Sequence, residues 1–460
     1  MNLRLTWVQP EDLLGHELRQ AAEDGRNATA VEARWTAAGG APAPVSAGAS
    51  PTPAPAHLRA LADRLLDELG ALPSPLAATE PTALADIRRA CPDWPAPPAQ
   101  PHPGPAGRSA LGARLHAGWL GRAAGCLLGK PVEKLPLSAI RALAGATGNW
   151  PLDGWFTARG LPPALAAAHP WNRRSATTSL AENIDGMPED DDLNYAVLNL
   201  LLLQRYGRGF RTADVARLWL DELPAGRTFT AERVAYRNLL SGLEPPFTAT
   251  YRNPFREWIG AQIRADVHGW TRPGDPGGAA EQAHRDATLT HTANGVYGAM
   301  FAAATIATAA SGTADVHESL AAGLSVVPDG SRLARAVRFG IATARAHGDF
   351  DTVADRLHAA YDNHHWVHVV PNAALLAAAL THADGDFTHS ICRAVSGGWD
   401  TDSNAATAGC VAGLLAGRPD RIPDRWTSPL KNRLATSVHT FDGVGFDTLA
   451  ALTLQEALRP

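Results

Sequence analysis

From Ala110 onward, apolar residues recur at three- and four-residue spacing in long Ala/Leu runs broken by Gly and Pro, the signature of helices that bury one face. The strict alternation of a half-buried strand is scarce. The pattern predicts helices over 110–129, 192–206, 212–221, 228–240, 254–266, 277–285, 293–310, 314–325, 332–346, 350–361, 371–382, 386–395, 403–416 and 445–457. The expected fold class is therefore all-α, a bundle-like domain over 109–460 in which any strand is short and peripheral.

The first 108 residues have a different texture. Leu13–Ala30 reads as one amphipathic helix, and His57–Leu72, with leucines at 58, 61, 65, 66 and 69, as another. An Ala/Pro/Gly/Ser linker, Ala37–Ala56, separates them, and a second Pro-rich stretch, Cys91–Pro105, closes the segment. Such linkers are extended and mobile. The segment is either a two- or three-helix appendage folded back on the body or a variable spacer without catalytic role.

Composition narrows the function classes. The chain has 460 residues, 45% hydrophobic and 19% charged, with a net charge of −5 and no basic run. Nucleic acid is not the expected partner, since its electrostatic footprint is missing. The four cysteines, Cys91, Cys126, Cys392 and Cys410, have neither zinc-like pairing nor a dense disulfide pattern, which suits a reducing compartment. The start, Met1-Asn2-Leu3-Arg4-Leu5-Thr6-Trp7, has no signal-peptide core. Leu193–Leu203 and Ala373–Leu380 are too short to span a bilayer. A soluble, cytoplasmic, monomeric protein without a membrane partner is expected.

Three segments carry candidate chemistry. Gly397-Gly398-Trp399-Asp400-Thr401-Asp402-Ser403-Asn404 opens a small-residue helix; its two aspartates and a hydroxyl can converge on a cation, or simply cap the helix. Pro188-Glu189-Asp190-Asp191-Asp192 precedes an apolar helix in the same way. Its adjacent carboxylates repel and raise one another's pKa unless a cation is present, although acidic first turns also suit the helix dipole. Between Gly121 and Glu133, glycine falls at 121, 125 and 129, a bare stripe on one helix face that implies close packing or close ligand approach. Pro131 ends that helix and leaves Glu133 in a loop.

In this order, Gly-x-x-x-Gly-x-x-x-Gly-x-Pro-x-Glu, the acidic triplet and Gly-x-Asp-Thr-Asp-Ser resemble the ADP-ribosylglycohydrolase family, which includes the dinitrogenase reductase-activating glycohydrolases and the ADP-ribosylhydrolases. The resemblance runs from about Arg114 to about Asp442 and extends to Ile259–Asp266, Pro273–Pro276, His291–Gly298 and Asp384–Phe387. It implies a compact orthogonal helical bundle that binds two Mg²⁺ ions, or Mn²⁺ in their place. The implied metal ligands are Asp190, Asp191, Asp192, Asp400, Asp402 and Ser403, with Glu133, Asp191 and Asp402 in catalytic roles. Gly125, Gly129, His291, Asn294, His364, Gly397, Gly398 and Trp399 are the implied substrate contacts.

The chain departs from the family pattern in places. Cys126 stands where an aspartate is common, and Asp190 replaces a hydroxyl residue, leaving the register of Glu189–Asp192 open by one position. Trp399 replaces a glycine, either to stack on a substrate ring or to pack. The implied reaction is metal-assisted hydrolysis of the bond between ADP-ribose and an acceptor, either a protein or a small metabolite. Two alternatives are the same fold acting on a small NAD-derived or nucleoside metabolite, and a module that binds ADP-ribose without cleaving it.

Overall fold

The computed structural model describes residues 4–44, 48–98 and 105–459. Residues 45–47 and 99–104, parts of the two Pro-rich linkers, lie outside the described residues. Among the described residues helices dominate and strands are absent; isolated bridges join Met187 to Leu434, Trp258 to His368 and Leu434 to Val444. The all-α expectation holds. Among the described residues no helix is long and apolar enough to cross a membrane.

At the centre of the body, helix Pro105–Gly129 lies against helix Thr401–Ala416. A Cβ on Gly121 would overlap the Gly409 carbonyl, one on Gly125 the Ala405 carbonyl, and one on Gly413 the Ala117 carbonyl. Backbone therefore meets backbone, and the glycine stripe permits the approach. This contact brings the end of the first helix to the start of the second, where Gly129 abuts Thr401 and Asp402. The almost entirely buried helices Ala293–Ser311 and Val369–Ala383 pack around the pair.

Most predicted helices form within a residue or two of their expected ends, as in Asp191–Tyr206, Arg332–Ala346 and Phe350–Tyr361. Two do not. The span 254–266 is a turn, a 3₁₀ segment Ile259–Arg264 and a short helix Asp266–Trp270. It buries Arg264 and Asp266 completely, and their charges, met by Glu232, Asp286 and Arg122, fix an irregular path. The span Leu13–Ala30 is two helices, Pro10–Glu23 and Thr29–Ala37, broken where Gly25 adopts a φ of +69°.

The N-terminal helices lie on the body through a buried network of charges. Arg256 binds Glu17 and Asp24, each at 2.8 Å. Arg332 binds Glu80 at 2.7 Å and Glu257 at 2.8 Å. His368 lies 3.2 Å from Glu23. Trp7 and His16 add an aromatic contact with Phe255 and Trp258.

Candidate metal and hydrolytic site

The Asp190–Asp192 turn and the Asp400–Ser403 turn, more than 200 positions apart, meet directly: Ser403 Oγ donates to Asp192 Oδ2 at 3.3 Å. Each turn sits at a helix start. Asp190 caps helix Asp191–Tyr206 by accepting the Asp192 N–H at 2.9 Å, as the capping reading expected. Asp400 stands at the N-cap of helix Thr401–Ala416 but makes no side-chain cap bond. Its carboxyl group is hydrogen-bonded to that of Asp402 instead.

Helix Pro105–Gly129 supplies a second stripe, one residue on from its glycines: Arg122, Cys126 and Lys130. Arg122 is fully buried and binds Asp266 at 2.8 Å and Asp192 at 3.2 Å, with the Asp192 carbonyl at 2.7 Å. Lys130, in the 3₁₀ turn Lys130–Val132, forms an ion pair with Asp190. Cys126 Sγ lies 3.9 Å from Asp192 Oδ2. Cys126, Asp190 and Asp192 each place a donor atom within 4.8 Å of the other two, a spacing that can hold a metal ion. Glu133 follows the turn, with its carboxylate accepting from Asn172 Nδ2 at 2.5 Å and Lys134 Nζ at 3.0 Å. At 19% side-chain exposure it marks the open side of the site.

The electrostatics divide the carboxylates into two groups. Burial would push Asp190 up, but the charge and hydrogen bond of Lys130 outweigh it and hold the group below the ordinary range. Burial raises Asp191 well above that range, and the charges of Asp190, Asp402 and Glu133 add to it. Burial raises Asp192 as well, against the opposing charge of Arg122, and raises Asp400, with Asp402 adding to it. Asp402 is pushed up to about 7 by burial, Glu133 and Asp190. Mutual repulsion on this scale is what a hard cation relieves, and oxygen donors of this kind suit Mg²⁺ or Mn²⁺. Among the described residues the donor atoms spaced for an ion are those of Cys126, Asp190 and Asp192, whereas Asp191, Asp400 and Asp402 have no basic side chain in ion-pair contact.

Several expected substrate contacts are placed elsewhere. His291 is fully buried, bonded to Thr290 at 2.6 Å and close to Glu232; it belongs to the core around Arg264 and cannot line a cleft. Asn294 is also fully buried, donating to Glu80 at 2.8 Å and accepting the Leu333 N–H at 2.9 Å. Its amide is used up in holding the N-terminal segment. Gly125 faces Ala405 rather than a diphosphate, because the helix pair closes over it. His364 turns toward His368, at 4.9 Å between rings, and burial holds it down to about 4.

Gly397 packs on Leu375, and its carbonyl accepts from His358 at 2.8 Å. Gly398 has a φ of +76° and lies beside Leu137 and His358. Trp399 is stacked on His358 at 4.1 Å, nearly parallel, so of its two readings packing holds here. Gly129 borders the site through its contact with Asp402. A groove of about 750 Å³ beside Arg217, Leu220 and Leu243 contains none of these residues.

Sequence reasoning passed over Arg122, Lys130, Asn172 and Asn372. Arg122, Cys126 and Lys130 repeat every fourth residue, and that spacing was the available signal.

A solved structure described as an ADP-ribosylglycohydrolase-related protein complex is similar, with a TM-score of 0.48 and 20% identity over 76% of this chain and 99% of that chain. Curated proteins give no match. The family model for ADP-ribosylglycohydrolase matches residues 107–456, a span that includes every carboxylate of the site, and the chain belongs to the ADP-ribosylglycohydrolase family.

Proposed function

We propose that the chain hydrolyses a glycosidic bond between ADP-ribose and an acceptor, with a divalent cation of the Mg²⁺ or Mn²⁺ class at Asp191, Asp400 and Asp402. The observation that carries this reading is the direct meeting of the two acidic turns, where Ser403 Oγ donates to Asp192 Oδ2 at 3.3 Å. A cation of this class lowers the pKa of water and grips vicinal hydroxyls. Glu133, steadied by Asn172 and Lys134 on the open side, is placed to take a proton from the attacking water. The surrounding carboxylates favour the positive charge that develops on the ribose ring at the transition state. The acceptor is a protein side chain or a small metabolite.

The test uses the full chain with an ADP-ribosyl-arginine peptide, O-acetyl-ADP-ribose and NAD-derived conjugates, with and without Mg²⁺. Release of free ADP-ribose that requires the cation, and that Asp400→Ala and Asp402→Ala abolish, is the expected result. Release by those variants at the wild-type rate would refute the assignment. Tight binding of ADP-ribose without turnover of any substrate would instead select the non-catalytic reading.

A further inference from the structure

The two groups of carboxylates are not equivalent. Cys126, Asp190 and Asp192 have donor atoms spaced for one cation, and a cation is already there. The Lys130 ammonium contacts Asp190 and reaches the Glu189 carbonyl at 3.5 Å. Only 9% of its side chain is exposed. Arg122 binds the other aspartate of that cluster from the protein side. Asp191, Asp400 and Asp402 receive no such partner.

Lys130 is held where it is by the chain around it. Helix Pro105–Gly129 ends one residue earlier, against Thr401 and Asp402. Pro131 follows at once and fixes the 3₁₀ turn. The side chain leaves this turn on the same stripe as Arg122 and Cys126, which directs it to the carboxylates instead of to water.

We infer that the Lys130 ammonium is the permanent occupant of one of the two cation positions, so that the chain binds a single divalent ion where the family resemblance implies two. This rests on the proposed metal site at Asp191, Asp400 and Asp402. Both oxygens of the Asp190 carboxylate already accept a hydrogen bond, one from Lys130 and one from the Asp192 N–H, and a divalent ion brought beside the ammonium meets like-charge repulsion in a buried setting. The lysine supplies one fixed charge that neither exchanges nor responds to chelators. It also offers no open coordination position, so only the exchangeable ion can engage a substrate hydroxyl or water. The division leaves one position structural and one reactive.

The probe is Mn²⁺, counted per chain by equilibrium titration, with electron paramagnetic resonance to separate isolated ions from exchange-coupled pairs. The expected result is one uncoupled ion per wild-type chain, and two in Lys130→Ala, where Cys126, Asp190 and Asp192 become available. Lys130→Met keeps the apolar stem and serves if the alanine variant does not fold. Two coupled ions in the wild type would overturn the inference and leave the proposed function standing. A count that stays at one in both Lys130 variants would overturn the role of the lysine. No binding in the wild type, or undiminished binding in Asp402→Asn, would overturn the metal site itself, and this inference with it.

Discussion

Asn372 accepts the backbone N–H of Asp400 on its side-chain oxygen at 3.2 Å, and the same oxygen takes the Asn404 amide at 2.7 Å. Its own amide nitrogen donates to the carbonyls of Trp366 and His368, each at 2.8 Å. One fully buried side chain thus ties the aspartate turn to the start of helix Val369–Ala383. Asn372→Ala should weaken Mn²⁺ binding about 10- to 100-fold, the usual cost of losing a group that orients ligands. Calorimetry on the folded variant checks this. Unchanged affinity would show that the turn holds its shape without Asn372.

The backbone contact between the central helices predicts opposite outcomes for two glycine substitutions. Gly125→Ala places a methyl group on the Ala405 carbonyl and should destabilise the protein by about 1–3 kcal/mol or more. Gly145→Ala, on the exposed side of helix Leu137–Ala146 with nothing within 4 Å, should be neutral or gain up to about 1 kcal/mol. Urea midpoints of the two variants decide, and equal effects would contradict the packing described.

Trp399 has a φ of +56° while stacked on His358. A left-handed backbone costs a non-glycine residue roughly 1 kcal/mol, and the stack offsets it. Trp399→Gly loses the ring but relieves the backbone; Trp399→Ala loses the ring and keeps the strain. The alanine variant should be less stable than the glycine variant by about 1 kcal/mol, measured by chemical denaturation.

His16 is buried among Phe255, Trp258 and His365. Burial, with Arg19 adding and Glu23 opposing, pushes its pKa down to about 3. The unfolded chain takes up this proton first, near a pKa of about 6.5. Stability should therefore fall as pH drops from about 6.5 toward 3, with His16 contributing a slope of up to about 1.4 kcal/mol per pH unit. Stability measured against pH should be flatter in His16→Phe; an identical slope would show that this imidazole is not the group responsible.

The N-terminal segment is expected to be needed for the body to fold. Without residues 1–98, Arg256, Arg332 and His368 lose Glu17, Asp24, Glu80 and Glu23. Breaking even one buried pair by removing a partner costs about 3–5 kcal/mol. A chain starting at residue 105 should show no cooperative thermal transition where the full chain does.

The helices were legible because each has one apolar face and polar or glycine punctuation at its ends, as in Phe350–Tyr361 after Asp349. The span 254–266 was not. Its apolar residues repeat like a helix, while its path follows Arg264 and its buried acidic partners, which lie far along the chain. The acidic motifs were legible as motifs, since Asp190–Asp192 and Asp400–Ser403 each precede a small-residue or apolar helix. Their non-equivalence was hidden because it depends on a lysine outside both. His291 and Asn294 misled for a related reason: a polar residue at a helix start can face a cleft or a buried ionic network, and the local pattern is the same in both cases. Only the distant Glu80 and Glu232 distinguish them.

Helices Pro105–Gly129 and Thr401–Ala416 touch at intervals of one turn, through Ala117 and Gly413, Gly121 and Gly409, and Gly125 and Ala405. They mesh like the teeth of a rack, and the site sits at one end of it. A single inserted residue in either helix would turn everything beyond it by about 100°, carrying Lys130 and Glu133, or Asp400 and Asp402, out of register with the opposing turn. On the proposed mechanism, the number of residues between Gly121 and Glu133 therefore counts as much as their identity.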